Sequence, residues 1–311
     1  MTLIPAPLLV NGATHPARTV RLMIRDLANG SEGITQGDDL KVSQLSTPGG
    51  GVQIADGSGI VRGRANAFQG SYAACNIGAT TVTIAPTAGS VRSDMVILRI
   101  EDPEYEGSRN PAVDPIAYFQ VISNVSSSAT TIPDGRTGIP LARIDIPAST
   151  ATITDAMVKD IRKCANPRRE RSLLTQAPAT ASTAISGTAN TYSYFSSAAG
   201  WNITVPSWAS IAKIRLDIGG LRLATGIVQG DTSATFGASL TVQSVMLDDN
   251  QSGIRRVTQL MADTLTIPSA YRGTTQLLRA RARVGASNAG VVQIDTSSML
   301  IADIQFEEAP R

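Results

Sequence analysis

The sequence predicts a mainly β protein of two β-sandwich-like modules, the first with two short helices and the second sandwich- or jelly-roll-like. Three observations predict it. Short apolar segments recur between turn residues such as Pro48-Gly49-Gly50-Gly51 and Asp56-Gly57, which is the rhythm of antiparallel strands. Charged residues make up 17% of the chain and hydrophobic ones 42%, with 27 Gly and 16 Pro, a composition that suits short strands and turns and fits disorder or coiled coil poorly. The 311 residues are long for one compact domain and comfortable for two of about 150 each.

Along the chain, Val20, Met23, Ile24 and Leu27 fall at helical spacing opposite Arg18, Arg21 and Arg25, so Pro16 to Ala28 is read as a helix. Thr14 or His15 would cap it, Pro16 suits its first turn, and Asn29-Gly30 offers a left-handed stop. Strands are expected at Asp39 to Leu45, Gly51 to Ala55, Gly59 to Arg64, Phe68 to Cys75 and Thr80 to Ile84. Asp94 to Ile100 (DMVILRI) is apolar on both faces and reads as a central strand, with Ile116 to Ser123 as its neighbour. Leu141 to Ile146 is a further strand, and Thr154 is expected to cap a second short helix carrying Met157, Val158 and Ile161 on one face.

Arg162, Lys163, Arg168, Arg169 and Arg171 then surround Asn166-Pro167, where a proline ends the helix and leaves an extended basic stretch. The expected division is therefore a module over 1–165, a connector over 166–190 and a second module over 191–311. Strands of the second are read at Thr191 to Phe195, Trp201 to Val205, Ala212 to Ile218, Leu221 to Ile227, Leu240 to Leu247, Arg255 to Leu260, Asp263 to Ile267, Leu277 to Val284, and Val291 to Phe306 with a break near Ser297-Ser298. In Ala212 to Ile218, apolar and charged residues alternate, so one face is buried and the other solvated.

The net charge of +2 argues against a polyanion partner for the whole surface, and no nucleic-acid partner is expected. Arginine supplies 23 of the 27 basic residues, which suits interfaces built on bidentate pairing and fits a biased genome equally. Cys75 and Cys164 lack any CxxC spacing and are read as free thiols. The opening MTLIPAPLLVNGATHPA has neither the basic start nor the apolar run of a signal peptide, and no segment approaches the length of a membrane span. Folding in a cytoplasm without membrane insertion is the expectation.

Few residues suggest chemistry. His15 is the sole histidine, and zinc-type spacing, GxxxxGK[ST] and GxGxxG are all absent, so no catalytic, cofactor-binding or metal residue is assigned. Glu101, Asp102, Glu104 and Glu106, and separately Asp248-Asp249, read as solvated loops, with calcium ligation or paired glycosidase carboxylates as the sharper alternatives. Arg279, Arg281 and Arg283 share one face of a strand whose other face is Leu278, Ala280, Ala282 and Val284. Rooted roughly 6.6 Å apart, they form a comb suited to acidic side chains or a polyanionic glycan. Tyr192, Tyr194, Phe195, Trp201 and Trp208 cluster in the second module, either as core or as a sugar-stacking platform.

The order and spacing of THPARTVRLMIRDL, EGITQGDDLKVSQLSTPGGGVQIADGSGIV, SDMVILRIEDPEYEG, IPLARIDIPASTATIT and DAMVKDIRKCANPRRER, together about residues 12 to 171, resemble the N-terminal module of minor tail proteins. These are tail-tip or baseplate subunits of long-tailed phages that infect actinobacteria. The resemblance implies a β-rich attachment module docked near the end of the tail in several copies, a trimer or hexamer around the tail axis, with other tail proteins as partners. It implies a virion component assembled in the host cytoplasm, without catalytic residues to transfer. The second module is outside the resemblance; by its position it is expected to face outward, with a host cell-wall glycan as candidate partner through Arg279, Arg281 and Arg283. Arg162, Arg168, Arg169 and Arg171 are expected to clamp carboxylates of neighbouring subunits. Two other functions fit the sequence: a glycan-cleaving hydrolase using two of Asp217, Asp231, Asp248, Asp249 and Asp263, and a collar scaffold without receptor contact.

Overall fold

The computed structural model describes residues 11–12, 15–187, 189–198, 200–286 and 288–311. The chain is mainly β and divides into two compact units, Met1–Pro167 with Ala309–Arg311, and Arg168–Glu308. Among the described residues no helix is long and apolar enough to cross a membrane.

The first unit opens with helix α1 (Ala17–Leu27). Its strands are β1 (Gly33–Ile34), β2 (Val42–Gln44), β3 (Gly51–Ile54), β4 (Gly57–Arg62), β5 (Ser71–Asn76) and β6 (Thr80–Thr83), followed by β7 (Arg92–Ile100), β8 (Ala117–Ile122), β9 (Gly138–Ile146) and β10 (Val158–Asp160). They form three antiparallel sheets, ordered β1-β4-β5, β2-β3-β6 and β10-β9-β7-β8. The two-faced apolar run of β7 lies between β9 and β8, with Asp94 to Leu98 all buried. Ile34, Val52, Ile54, Val96, Leu141 and Ile144, each fully buried, lie at the centre of this core. Gly33 adopts φ +139, and any Cβ there would collide with the carbonyl oxygen of Lys163, which lets Ile34 bridge in parallel to Cys164.

Two expectations for this unit change. Helix α1 does not bury its apolar stripe: Leu27 is 73% exposed, and the buried residue is Arg21. Pro16 occupies the cap position without a side-chain cap, His15 is exposed, and Thr14 lies outside the described residues. The left-handed stop is present, with Asn29 at φ 51 and Gly30 at φ 69. The second helix is only one 3-10 turn, Asp155–Met157. β-Branched Val158 instead starts strand β10, which pairs with β9 at Val158↔Ile144, because an open sheet edge gives the backbone more hydrogen bonds than an isolated turn of helix.

The second unit contains β11 (Arg169–Gln176), β12 (Ile185–Ser186), β13 (Ser193–Tyr194), β14 (Trp201–Thr204), β15 (Ile211–Ala224) and β16 (Val228–Phe236), then β17 (Leu240–Asp249), β18 (Arg255–Thr266), β19 (Thr275–Val284), β20 (Val291–Gln293) and β21 (Met299–Glu307). One sheet runs β11-β21-β15-β20-β12 with β18 also on β15; the other runs β13-β19-β16-β17 with β14 on β19. The alternating residues Leu216, Ile218, Ile304 and Phe306 of the first sheet meet Phe236, Val242, Leu278 and Ala280 of the second in one core, which makes this unit a β-sandwich. Phe236 is its hinge of packing, edge-on to Tyr271 at 6.2 Å and tilted on Phe306 at 6.4 Å.

Part of the stretch expected as a connector is strand. All eight residues of β11 pair with β21, from Arg169↔Glu307 to Gln176↔Leu300. Ala212 to Ile218 and Leu221 onward are one strand with a register shift between Ile218 and Leu221, at Gly219-Gly220, where Gly220 takes φ +67 against the carbonyl of Ser297. Arg255 to Thr266 is likewise continuous.

Truncating Phe236, which is fully buried, to Ala is expected to destabilise the second unit by about 3–5 kcal/mol. Ile77→Ala, at a side chain 97% exposed, should stay within about 0.5 kcal/mol of the parent; denaturant unfolding followed by circular dichroism checks both.

Candidate functional site

The four arginines of the closing stretch engage carboxylates of this same chain. Arg162 is fully buried at its side chain and meets Asp160 at 2.6 Å. It also donates to the carbonyl of Asp39 at 2.6 Å and to that of Arg311 at 3.1 Å. Arg168 forks onto Glu308 at 2.9 and 2.6 Å, a carboxylate only 1% exposed, and stacks on Trp208. Arg169 pairs with Glu307 at 2.7 Å and Arg171 with Asp303 at 2.5 Å. The carboxylate of Asp303 is held below its usual range by Arg171, and that of Glu307 by Lys213. Within this chain all four arginines thus have carboxylate partners, three of those carboxylates on β21 or just beyond it.

The acidic loop is also tied down. Glu101 meets Arg109 at 3.0 Å and accepts from Tyr118 at 2.7 Å, and Glu106 meets Arg99 at 3.2 Å. Arg21 reaches from α1 to Asp102 at 3.2 Å and Glu104 at 2.7 Å, donates to the backbone of Gln69, and lies over the rings of Tyr72 and Tyr105. Hydrogen bonds from Arg18 and Arg21 hold the Glu104 carboxyl at about 2. Burial, then the bond to Asp102, pushes the Tyr72 phenol up. These carboxylates are engaged by arginines and tyrosines, and among the described residues no group of three or more His, Cys, Asp or Glu is placed to hold a metal ion.

Asp217 and Asp231, two of the candidate hydrolase carboxylates, lie on opposite sides of the sandwich. Asp217 projects from the outer face of one sheet beside Arg215, whereas Asp231 lies on the outer side of the other against Arg283. Sheet spacing alone separates those faces by more than about 10 Å. Asp249 is held by Arg255, Asp248 accepts from Gln229, and Asp263 accepts from the backbone of Gln243 and Thr264.

The arginine comb lies on β19. Leu278, Ala280, Ala282 and Val284 are buried, so Arg279, Arg281 and Arg283 emerge together on the outer face, opposite Thr235, Ser233 and Asp231 of β16. Tyr194 covers Arg279 at 4.3 Å, and Tyr192 covers Arg281 at 4.1 Å and Arg283 at 4.9 Å, distances at which the ring face attracts the cation. Arg283 is neutralised by Asp231 at 2.8 Å, which also accepts from the hydroxyl of Tyr192. Of the other clustered aromatics, Phe195 is fully buried and Trp201 and Trp208 pack against the core. The tyrosine stacking was beyond the sequence, because β13 joins β19 across about ninety residues of chain; the tyrosine-rich segment YSY was the available signal.

Comparison with known proteins adds little. No family model and no curated protein matches this chain. Among solved structures, that of infectious bursal disease virus Gx strain matches at 12% identity and TM-score 0.24, over 90% of this chain and 80% of that one. The VP2 subviral particle of the same virus matches at 11% and 0.25, over 93% and 86%. A Bacillus thuringiensis Cry1Da tryptic core variant matches at 11% and 0.20, over 98% and 57%. At these TM-scores the likenesses carry no argument.

Two measurements test the charge network. Because the Glu104 carboxyl titrates lower folded than unfolded, it contributes stability that is complete above its ordinary value of 4.5 and is lost as pH falls toward about 2. Glu104→Gln should flatten the fall in stability across that window, read from unfolding midpoints at stepped pH. Arg162→Met, which strips the buried partner from Asp160 and two carbonyls, should cost about 3 kcal/mol in the purified chain with no other protein present.

Proposed function

We propose that this chain is a structural virion protein, and more finely a tail-tip or baseplate subunit of a long-tailed phage of actinobacteria. The first unit docks to the tail as one of several copies around its axis. The second faces outward and contacts the host surface. Assembly takes place in the host cytoplasm, and the chain is not an enzyme.

The observation that carries the reading is that the segments of the tail-protein resemblance fall, up to Pro167, in one compact unit. THPARTVRLMIRDL supplies α1, EGITQGDDLKVSQLSTPGGGVQIADGSGIV supplies β1 to β4, SDMVILRIEDPEYEG supplies most of β7 and the arginine-bound loop, and IPLARIDIPASTATIT supplies most of β9. DAMVKDIRKCANPRRER adds β10 and runs on into β11. The strand-forming segments among them share one core, as a docking module requires, and a unit held by internal ion pairs suits a building block. A hydrolase reading has no comparable support, since its candidate aspartates each have partners of their own.

Gold-labelled antibody against the chain should mark the distal tail of purified particles, with the protein present in a fixed multiple of copies by mass spectrometry. Its absence from particles, or label confined to the head, would overturn the proposal. Blocked particles that still adsorb to the host would move the subunit to a collar.

A further inference from the structure

Arg279 and Arg281 differ from nearly every other arginine discussed above. Among the described residues neither side chain has an ion pair or a hydrogen bond, although nineteen guanidiniums elsewhere in the chain find carboxylates. Their Nε atoms are buried without a partner, an arrangement that costs free energy unless something beyond the chain compensates it. Their terminal nitrogens are not among the buried unpartnered atoms, so the forks end at the surface. The tyrosine rings hold both guanidinium planes in place, which removes much of the ordering cost that a free arginine pays on binding.

We propose that Arg279 and Arg281, braced by Tyr194 and Tyr192, form a binding site for oxyanions carried in series on a polymer, phosphodiester or uronate groups of a surface glycan. Two forks rooted roughly 6.6 Å apart along the strand match successive anionic groups of such a polymer. The rim is hydroxylic: Thr235 lies opposite Arg279 and bonds to Tyr194 at 3.2 Å, which suits sugar or polyol hydroxyls. Arg283 is already satisfied by Asp231 and serves to position Tyr192. Single-stranded nucleic acid is the less favoured occupant, because each tyrosine ring already stacks on a guanidinium and the chain's net charge is only +2. The anion site stands on its own geometry; choosing a host-surface polymer as its source rests on the virion reading.

The test is binding of the full-length chain, in its own oligomeric state, to immobilised poly(glycerol phosphate), polygalacturonate, neutral dextran and an oligothymidylate. At least one of the first two should bind well above dextran, and which one does separates phosphodiester from uronate as the source. Arg279→Gln with Arg281→Gln should weaken that binding about tenfold or more. Arg171→Gln with Arg215→Gln removes the same charge from the outer face of the other sheet and should change it less than about twofold. Arg281→Lys, which keeps charge and stem, should fold as the parent does and still bind several-fold more weakly, because the fork is lost. Binding no better than dextran, equal loss in the charge-matched control, unchanged binding in Arg281→Lys, or tighter binding to the oligothymidylate would each overturn the proposal. Particle labelling is read independently, so either conclusion can fail without the other.

Discussion

Taking a guanidinium out of water is tolerable only if a carboxylate, carbonyl or ring replaces the hydration it loses, and that constraint organises this molecule. Only 17% of the residues are charged, yet the arginines are placed where elements must be fixed. Arg21 ties α1 to the loop after β7. Arg92 holds the fully buried Asp94, which in turn caps the backbone at Asn124. Arg168 neutralises Glu308 at the point where β11 and β21 begin and end their pairing. A lysine at these positions would supply charge without the planar fork that makes two bonds in a fixed direction.

The same constraint explains how a helix with an apolar stripe can leave part of that stripe exposed. In α1 the tertiary contact is electrostatic and aromatic, centred on Arg21 between Tyr72 and Tyr105, and Leu27 stays in solvent. Hydrophobic spacing specifies that a helix forms; it does not specify which side the rest of the fold will take hold of when long-range ion pairs compete with burial.

Strands with a period-two pattern were legible in the sequence. Ala212 to Ile218 and Leu277 to Val284 have the predicted inward and outward faces, and DMVILRI is the central strand that its two apolar faces require. Strand β16 was not legible: Val228 to Phe236 reads VQGDTSATF, and its burial comes from neighbours on both sides rather than from its own side chains. Strand β11 was missed because an edge strand with mostly exposed residues looks like a linker. The arginine comb was visible as alternation, whereas the pairings that decide which of its members are free depend on residues such as Asp231, 52 positions away, which local patterning cannot reach.

Ala309–Arg311 belong to the first unit although they follow the second in the chain. Arg311 bonds through its backbone to Gly37, pairs with Asp38, and offers its carbonyl to Arg162, all within the first unit. A ribosome that has released everything through Pro167 has delivered most of that unit's core but not these contacts, which come only after the whole of Arg168–Glu308 has followed. The first unit is completed only after the second has been made, and until then the buried guanidinium of Arg162 lacks one of its acceptors.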